Sequence, residues 1–259
     1  MLATERKKRI RDLLTEYQHV DVGSLCAFLH VSPATVRRDL DALEKEGFLL
    51  KTYGGAVLNE SREPESVLLK NADDPFEREK KAIAAFAVNL VEEGDVVFLG
   101  SGAIAVHMAK LLRHRGRLNV VTNNVSAALE LLDAPGICAV LIGGDLAGGR
   151  KSAETYGEIA REEISRMYFG KCFLSFDGIS LQRGYTVDNM NKLSLIRQVL
   201  ANSDMKCALT DASNLGRISL HSVGPLDAVN HVVAPINIPE EYKEYYLHRG
   251  IRLYDVALD

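Results

Sequence analysis

Small polar residues follow five short apolar runs in this chain. Hydroxyl, amide and carboxylate side chains hydrogen-bond to sugar hydroxyls, and glycines that open a helix directly after a strand leave backbone amides facing an anion. Ligands of parallel α/β sheets bind beyond the carboxyl ends of the strands, so the sequence predicts a polyol or phosphate site there. The candidate binding residues are Gly100, Ser101, Gly102, Ala103, Thr122, Asn123, Asn124, Gly143, Gly144, Asp177, Gly178, Asp211 and Ser213.

Two other interpretations of these residues stay open. The same residue types are favoured in tight turns, which explains Gly143 and Gly144 well and the segment GSG (100–102) less well. Residues 100–105 also fit the dinucleotide-binding pattern G-x-G-x-x-A. That pattern requires an acidic residue about 20 residues later, where this chain has TNN (122–124). A phosphate or polyol site is therefore the better hypothesis.

A second chemical feature is the segment VSPATVRRDL (31–40). Ser32 can cap a helix and Pro33 suits its first turn. At 100° per residue the apolar side chains form one stripe, whereas the arginines face away from it with Ala34 and Thr35 beside them. A solvated helix face explains this pattern as well as a binding face does, so the neighbouring segments decide.

Those neighbours predict a winged helix-turn-helix. A helix over 6–17 and a short helix capped by Asp21 precede the arginine helix, which Gly47 ends, and FLLKTYGGAVL (48–58) reads as a hairpin wing. For Lys51, contact with a phosphate backbone and simple closure of a small core are equally supported. The predicted DNA-binding residues are Arg6, Lys7, Lys8, Ser32, Ala34, Thr35, Arg37, Arg38, Lys51 and Tyr53.

Charge and composition agree with this division. Residues 1–58 carry nine basic and eight acidic residues, although the whole chain has a net charge of −4, and five of the basic residues stand together at 6–11. The 259 residues exceed a winged helix several-fold, which predicts a second domain. No signal peptide or apolar span is recognisable, so we expect a cytoplasmic protein without a membrane partner. The four scattered cysteines indicate small buried residues, and neither a metal nor a cofactor is expected.

Helices and short apolar strands alternate from residue 77 onward. This pattern is typical of a parallel sheet covered on both faces, and the fold class is therefore α/β, an N-terminal winged helix-turn-helix followed by a doubly wound domain. The predicted domains are a DNA-binding domain over 1–58, a charged linker over 59–75 and an α/β effector-sensing domain over 76–259.

VSPATVRRDL, the segment TYGGAVL, the glycine-serine loop, VTNN, DGIS and DASNLGR occur in this order. The chain therefore resembles the DeoR-type bacterial transcriptional regulators. The resemblance implies a sensor domain related to ribose-phosphate isomerases, which binds a phosphorylated sugar and controls a carbohydrate operon, usually as a repressor. The family's loop reads Asp-Ser-Gly-Ser-Thr-Thr where this chain has GSGAIA (100–105), and Ile196 and Asn214 replace two family cations. We expect weaker phosphate binding or a less charged effector than is usual in the family.

These features together predict a DNA-binding repressor, a homo-oligomer controlled by a small sugar or sugar phosphate, and not an enzyme. A sugar-phosphate isomerase is the second hypothesis. The missing acid at Gly100, and the lack of a paired carboxylate with a nearby lysine in the sequence, argue against catalysis. A nucleotide-dependent oxidoreductase is third.

Overall fold

The computed structural model describes residues 3–17, 19–45, 48–52, 54–58, 74–149 and 152–258. Contacts divide the chain into two compact units, residues 1–67 and 68–259. The predicted linker, 59–75, lies almost entirely outside the described residues, so its boundaries stay a prediction.

The N-terminal unit has the order of elements that the sequence predicts. Asp21 caps the second helix by accepting a hydrogen bond from the Ser24 amide at 2.8 Å, and His30 ends that helix in the left-handed conformation, with φ of 54°. The predicted helix end at Gly47 lies outside the described residues. The elements are α1 (Ala3–Tyr17), β1 (His19–Asp21), α2 (Val22–Leu29), α3 (Pro33–Lys45), β2 (Leu49–Thr52) and β3 (Gly55–Leu58).

Strands β2 and β3 form an antiparallel hairpin, and β1 pairs with the other edge of β3. Gly55 allows this pairing, because a β-carbon there would lie 2.2 Å from the Val20 carbonyl oxygen. The apolar stripes of the three helices meet over the sheet in one core, which includes Ile10, Leu25 and Val36. The prediction of a winged helix-turn-helix is confirmed.

The C-terminal unit alternates helices and strands as predicted. Most boundaries agree with the sequence interpretation to within about two residues. Its elements are α4 (Glu77–Ala87), β4 (Val96–Leu99), α5 (Ala103–Leu112), β5 (Leu118–Thr122), α6 (Val125–Leu131), β6 (Ile137–Leu141), β7 (Asp145–Gly149), β8 (Ser152–Tyr156), α7 (Gly157–Ser165), β9 (Phe169–Leu174), β10 (Gly178–Ser180), β11 (Gly184–Val187), α8 (Met190–Ala201), β12 (Ser203–Leu209), β13 (His221–Gly224), β14 (His231–Pro235), α9 (Glu240–His248) and β15 (Arg252–Val256).

Seven of the described strands form one parallel sheet in the order β15-β14-β12-β9-β4-β5-β6. From β4 the chain proceeds to β5 and β6 on one side, and from β9 to β12, β14 and β15 on the other. The direction of winding therefore changes between β4 and β9. The loops that follow these two strands diverge there and leave a crevice at the carboxyl edge of the sheet.

Helices cover both faces of this sheet. Neighbouring residues of β4 point to opposite sides: Val97 and Leu99 pack with α4, α5 and α6, whereas Phe98 packs with α7 and α8. The prediction of a doubly wound parallel sheet is confirmed. None of the helices that the structure describes has the length and apolar composition needed to cross a membrane.

Three features of the C-terminal unit differ from the sequence interpretation or were missed by it. Residues 145–156 form an antiparallel hairpin, β7 and β8, and β10, β11 and β13 form a small separate sheet. Cys138 is exposed on the edge strand β6, so the expectation that every cysteine is buried is wrong. Its strand is the last one of the described sheet, and residues 138–141 of that strand are all exposed.

Candidate functional site

Helix α3 presents its arginines to solvent. Val36, Leu40 and Leu43 are fully buried, and this fixes the helix so that Arg37 and Arg38 are exposed on the opposite side. The described structure contains no ion pair for either arginine. At the start of the helix, Ser32 Oγ accepts a hydrogen bond from the Thr35 amide at 3.4 Å, so its side chain acts as the predicted cap. Ala34 is exposed beside the cap.

Arg6 has a different environment from the one predicted. Its Nε lies 2.5 Å from Oδ2 of Asp39, a residue of α3 that is 4% exposed, and its Nη2 donates to Oδ1 at 3.1 Å. This bidentate pair ties α1 to α3 within the domain. The guanidinium is therefore committed to a structural contact, whereas Lys8 on the same helix is exposed. Lys7 is half-buried.

Lys51 is also engaged within its own domain. Its Nζ lies 2.5 Å from Asp41 Oδ1 and its amide donates to Glu44 Oε1 at 3.0 Å, so the wing is joined to α3. The Asp41 carboxylate raises the pKa of Lys51, which stays charged. This contact supports the closure role that the sequence left open for Lys51. Tyr53 lies outside the described residues.

A cavity of about 440 Å³ lies at the crevice between the β4 and β9 loops. Its walls come from those two loops, the start of α8, the loop after β12, the β7–β8 hairpin and α4. Six of the predicted binding residues line it: Ser101, Gly102, Ala103, Asp177, Asp211 and Ser213. The placement follows from the sheet topology, because the carboxyl ends of neighbouring parallel strands meet at one edge.

The three polar residues after β5 are not among the lining residues. Thr122 Oγ1 donates to the Leu99 carbonyl at 2.7 Å, and Asn123 Nδ2 donates to the Thr155 carbonyl at 3.1 Å. Asn124 caps α6 by accepting from the Ala127 amide at 3.1 Å. All three are at most 1% exposed, so they fix the loops around the cavity and are not placed to contact a ligand inside it.

Three predicted glycines serve close packing instead, and a fourth donates a backbone hydrogen bond away from the cavity. A β-carbon at Gly144 would lie 2.2 Å from the Tyr156 carbonyl oxygen, and at Gly178 one would lie 2.6 Å from the Arg217 carbonyl oxygen. At Gly100 it would approach Leu174 Cδ2 to 2.9 Å. The Gly143 amide donates to Glu163 Oε2 at 3.0 Å. The turn interpretation therefore describes Gly143 and Gly144 better than a binding role does.

Two lysines that the sequence interpretation missed line the cavity. Lys192 Nζ lies 2.6 Å from Asp177 Oδ1, and Lys80 Nζ lies 2.8 Å from Asp74 Oδ2 and 3.9 Å from Asp211 Oδ2. The premise that no lysine lies near a carboxylate is therefore wrong. Each lysine is remote in sequence from the carboxylates of the strand ends, and each resembles an ordinary exposed position of an amphipathic helix.

The two positions at which this chain lacks the family's cations lie in different environments. Ile196 is 2% exposed and packs in the core of the sheet, whereas Asn214 lines the cavity. Lys192 lies one turn before Ile196 and brings a cation into the cavity from the same helix. The cavity therefore has cations despite those two replacements.

Glu154 and Tyr156 of β8 are further lining residues that the sequence did not indicate. Glu154 Oε1 accepts a hydrogen bond from the Gly102 amide at 3.0 Å, and its Oε2 accepts one from the Tyr156 hydroxyl. Ser101 Oγ lies 2.9 Å from the same hydroxyl. Burial and the adjacent Glu154 charge raise the pKa of Tyr156, so the phenol stays protonated and donates.

Buried carboxylates also shape the wall beside Lys80. Glu79 accepts a hydrogen bond from the Ala212 amide at 2.8 Å, and burial, helped by the Asp211 charge, raises its pKa. Asp211 accepts from the Ser213 amide at 2.8 Å, which fixes the loop after β12. The cavity is thus lined by ionisable groups with defined positions. No group of side chains in the described residues has the arrangement of a metal site.

Family comparisons identify both units. Residues 6–62 match the model described as a DeoR-like helix-turn-helix domain, and residues 76–234 match the DeoR C terminal sensor domain. The chain belongs to the DeoR family.

Individual relatives extend over nearly the whole chain. The HTH-type transcriptional regulator GolR of Listeria innocua is 31% identical over 95% of this chain and 96% of its own length. A lactose phosphotransferase system repressor of Staphylococcus epidermidis is 30% identical, over 90% of this chain and 92% of its own length. A solved ribose 5-phosphate isomerase of Methanocaldococcus jannaschii has a TM-score of 0.39 and 18% identity, covering 54% of this chain and 55% of its own. The chain thus spans about half of that isomerase, and this partial likeness carries no functional argument.

Proposed function

We propose that this DeoR-family protein is a sequence-specific DNA-binding regulator that represses a carbohydrate operon and is controlled by a small sugar or sugar phosphate. The observation that carries the proposal is a helix-turn-helix whose third helix exposes Arg37 and Arg38, in one chain with a polar cavity at the sheet's winding change. The names of the relatives, a transcriptional regulator and a sugar-system repressor, support the same role. The protein would act as a homo-oligomer in the cytoplasm and would not turn over its ligand.

The residues proposed for each task follow from exposure. Arg37 and Arg38 would read base edges in the major groove, with Ala34 and Thr35 beside them and Ser32 capping the helix. Lys7 and Lys8 would contact phosphates, which position the protein without specifying sequence. Arg6 and Lys51 would support this surface through their pairs with α3 rather than by direct contact.

In the cavity, hydroxyl groups of the ligand would be held by the strand-end residues. Oxygen atoms would come from Asp177, Asp211 and Ser213. The Ser101–Ala103 loop would provide backbone amides at the start of α5. Asn124 would act indirectly, by fixing the loop that carries Gly102, and Asn123 by fixing β8 at Thr155.

The test has two steps with one preparation of the full chain. Selection from random duplexes should yield a consensus site, whose affinity falls steeply with salt concentration. Free and phosphorylated sugars are then tested for raising the melting temperature and for releasing that duplex. Failure to enrich any duplex sequence, at salt concentrations low enough for retention on heparin, would contradict the DNA-binding role.

A sugar-phosphate isomerase is the second candidate, because Lys192 and Asp177 are paired in the cavity with 2.6 Å between charged atoms. A lysine and a carboxylate can serve as an acid and a base in proton transfer. Interconversion of ribose 5-phosphate and ribulose 5-phosphate by the wild-type protein, lost in Lys192→Met, would favour this candidate. Its absence, together with duplex release by a sugar, would favour the regulator.

A further inference from the structure

The carboxylate of Glu154 lies where the sequence predicts an anionic ligand. Gly102 directly precedes the first residue of α5 and has φ of 93°, a conformation that favours glycine. The hydrogen bond from the Gly102 amide to Glu154 Oε1, 3.0 Å long, is made across 52 positions of the chain. A helix N-terminus attracts negative charge, and here the protein supplies that charge itself.

A chain of hydrogen bonds holds this carboxylate in place. Tyr156 donates its hydroxyl proton to Glu154 Oε2, so Ser101 Oγ, at 2.9 Å from the phenol oxygen, donates to Tyr156 in turn. The resulting ring joins two residues of the loop to two residues of β8. Glu154, Tyr156 and Ser101 are each at most 8% exposed. Displacing the carboxylate would therefore leave buried donors without an acceptor unless the ligand replaced it completely.

The backbone that carries Glu154 is anchored as well. The Thr155 amide donates to the Asn123 carbonyl at 2.9 Å, and Asn123 Nδ2 donates back to the Thr155 carbonyl at 3.1 Å. Thr155 Oγ1 lies 2.6 Å from the Ile142 carbonyl oxygen. A bridge between Asn124 and Glu154 completes the attachment. The main chain at Glu154 is therefore fixed. This indicates that the Glu154 carboxylate is a permanent part of the cavity wall and does not move out of the cavity when a ligand binds.

The lysines of the described wall also have carboxylate partners already. Lys192 pairs with Asp177 and Lys80 with Asp74 and Asp211. An entering phosphate would compete with a protein carboxylate at both lysines and at the Gly102 amide. Hydroxyl groups, in contrast, can donate to these carboxylates without breaking any of the pairs.

We infer that Glu154 is a specificity-determining residue, which excludes anionic effectors from the start of α5 and selects an uncharged polyhydroxy compound, a free sugar or sugar alcohol. The inference rests on the proposed function, since it assigns the ligand class of the same cavity. Glu154 supplies the carboxylate that the loop lacks at Gly100, from a distant part of the chain. Its role is to accept hydroxyl hydrogen bonds where a phosphate would need donors.

Inorganic phosphate is the decisive probe, because it needs no knowledge of the effector. Calorimetry on the full chain compares wild type, Glu154→Ala and Glu154→Gln. Removing the side chain frees the amide and removes a like charge, so phosphate affinity should rise at least about tenfold in Glu154→Ala. Glu154→Gln keeps the shape and an acceptor but loses the charge, and we expect an intermediate gain. Sulfate should behave like phosphate.

Glu163→Ala is the matched control. Glu163 also accepts a hydrogen bond from a loop glycine amide, that of Gly143 at 3.0 Å, but it does not line the cavity. This variant should show no gain in phosphate affinity. Equal phosphate affinity in wild type and both Glu154 variants would overturn the inference, as would a weaker affinity in the variants. If Glu154→Ala does not fold, Glu154→Gln decides by the same comparison.

A second measurement tests the ligand class directly. A panel of free sugars and sugar alcohols is compared with the corresponding phosphate esters by the rise in melting temperature of wild type. A larger rise with an ester than with its free counterpart would overturn the inference. Binding of the selected duplex DNA is measured with the same protein preparations and the same sugars. The proposed function and the proposed ligand class can therefore fail separately. If a phosphate ester releases the duplex, only the proposed ligand class is refuted. If phosphate binds to Glu154→Ala and not to wild type, but no sugar releases the duplex, only control by a sugar effector is refuted.

Discussion

Replacing Arg38 by alanine should remove the preference for one base pair of the binding site rather than affinity for DNA in general. Arg38 is exposed on α3, and the described residues offer it no ion pair, so no internal contact has to break when it meets a base. A bidentate arginine contact with a base is worth about 1 to 3 kcal/mol, which is about 5-fold to 150-fold in affinity. The full amount should be lost in Arg38→Ala.

The structure gives contrasting expectations for other basic residues. Lys51 is paired with Asp41 at 2.5 Å, so DNA would only exchange one ionic partner for another, and Lys51→Ala should weaken binding less than Arg38→Ala. Lys8→Ala should weaken binding to all sequences alike and lower the slope of log affinity against log salt by about 1. Arg161→Ala removes an exposed arginine of the C-terminal unit, paired with Glu158, and serves as the charge control.

Fluorescence anisotropy with the selected duplex, and with duplexes altered at single base pairs, measures all four variants. The expected signature of Arg38→Ala is a loss on the selected duplex together with indifference at one altered position. Equal affinity of Arg38→Ala and wild type on the selected duplex would refute the orientation of α3 as the reading helix.

Three further predictions concern assembly, the cavity and pH. Sedimentation of the full chain at micromolar concentration should show at least a dimer, since one winged helix covers few base pairs; a species of only 28.5 kDa, with and without the duplex, would contradict this. Gly102→Asp should abolish the ligand response but not duplex binding, because it adds a carboxylate beside Glu154 at a residue with φ of 93°; unchanged calorimetric ligand binding would mean that the loop is only a turn. Burial lowers the pKa of His107 below its ordinary value of 6.5, against the opposing effect of Glu77, so the unfolded chain protonates first and stability should fall as pH drops below about 6.5. The free energy of unfolding of wild type, minus that of His107→Gln, isolates the contribution of His107 when both are measured by denaturant unfolding at several pH values. This difference should change by at most about 1.4 kcal/mol per pH unit, and a difference that does not vary with pH would refute the prediction.

Local patterns in the sequence predict most of the fold. The apolar run at Val96–Leu99 and the stripe of Val36 and Leu40 are dictated by the periodicity of a buried strand and of a half-buried helix. The β7–β8 hairpin was missed because its strands, DLAGG and SAETY, lack a clear alternation of apolar and polar residues. Its position depends on bonds such as that between Thr155 and Asn123, which join distant segments.

The candidate site is predicted less completely for the same physical reason. Strand-end residues such as Ser101 and Asp177 can be assigned from topology alone, because parallel strands end together. Glu154 and Lys192 reach the cavity only through tertiary placement, and neither spacing nor residue type distinguishes them from exposed charges. Arg6 shows the converse: its place in a basic cluster suggests a DNA contact, whereas a buried carboxylate 33 residues away holds it.

The spread of the cavity along the chain sets an order of events during synthesis. Its lining extends from Lys80 to Asn214, so it cannot exist until the ribosome has released most of the C-terminal unit. The described elements of the helix-turn-helix, in contrast, are complete by residue 58. Because N-terminal domains generally fold first as a chain emerges, a nascent molecule could bind DNA before it is able to bind its ligand. Control by the ligand would begin only after the chain has been translated beyond Asn214.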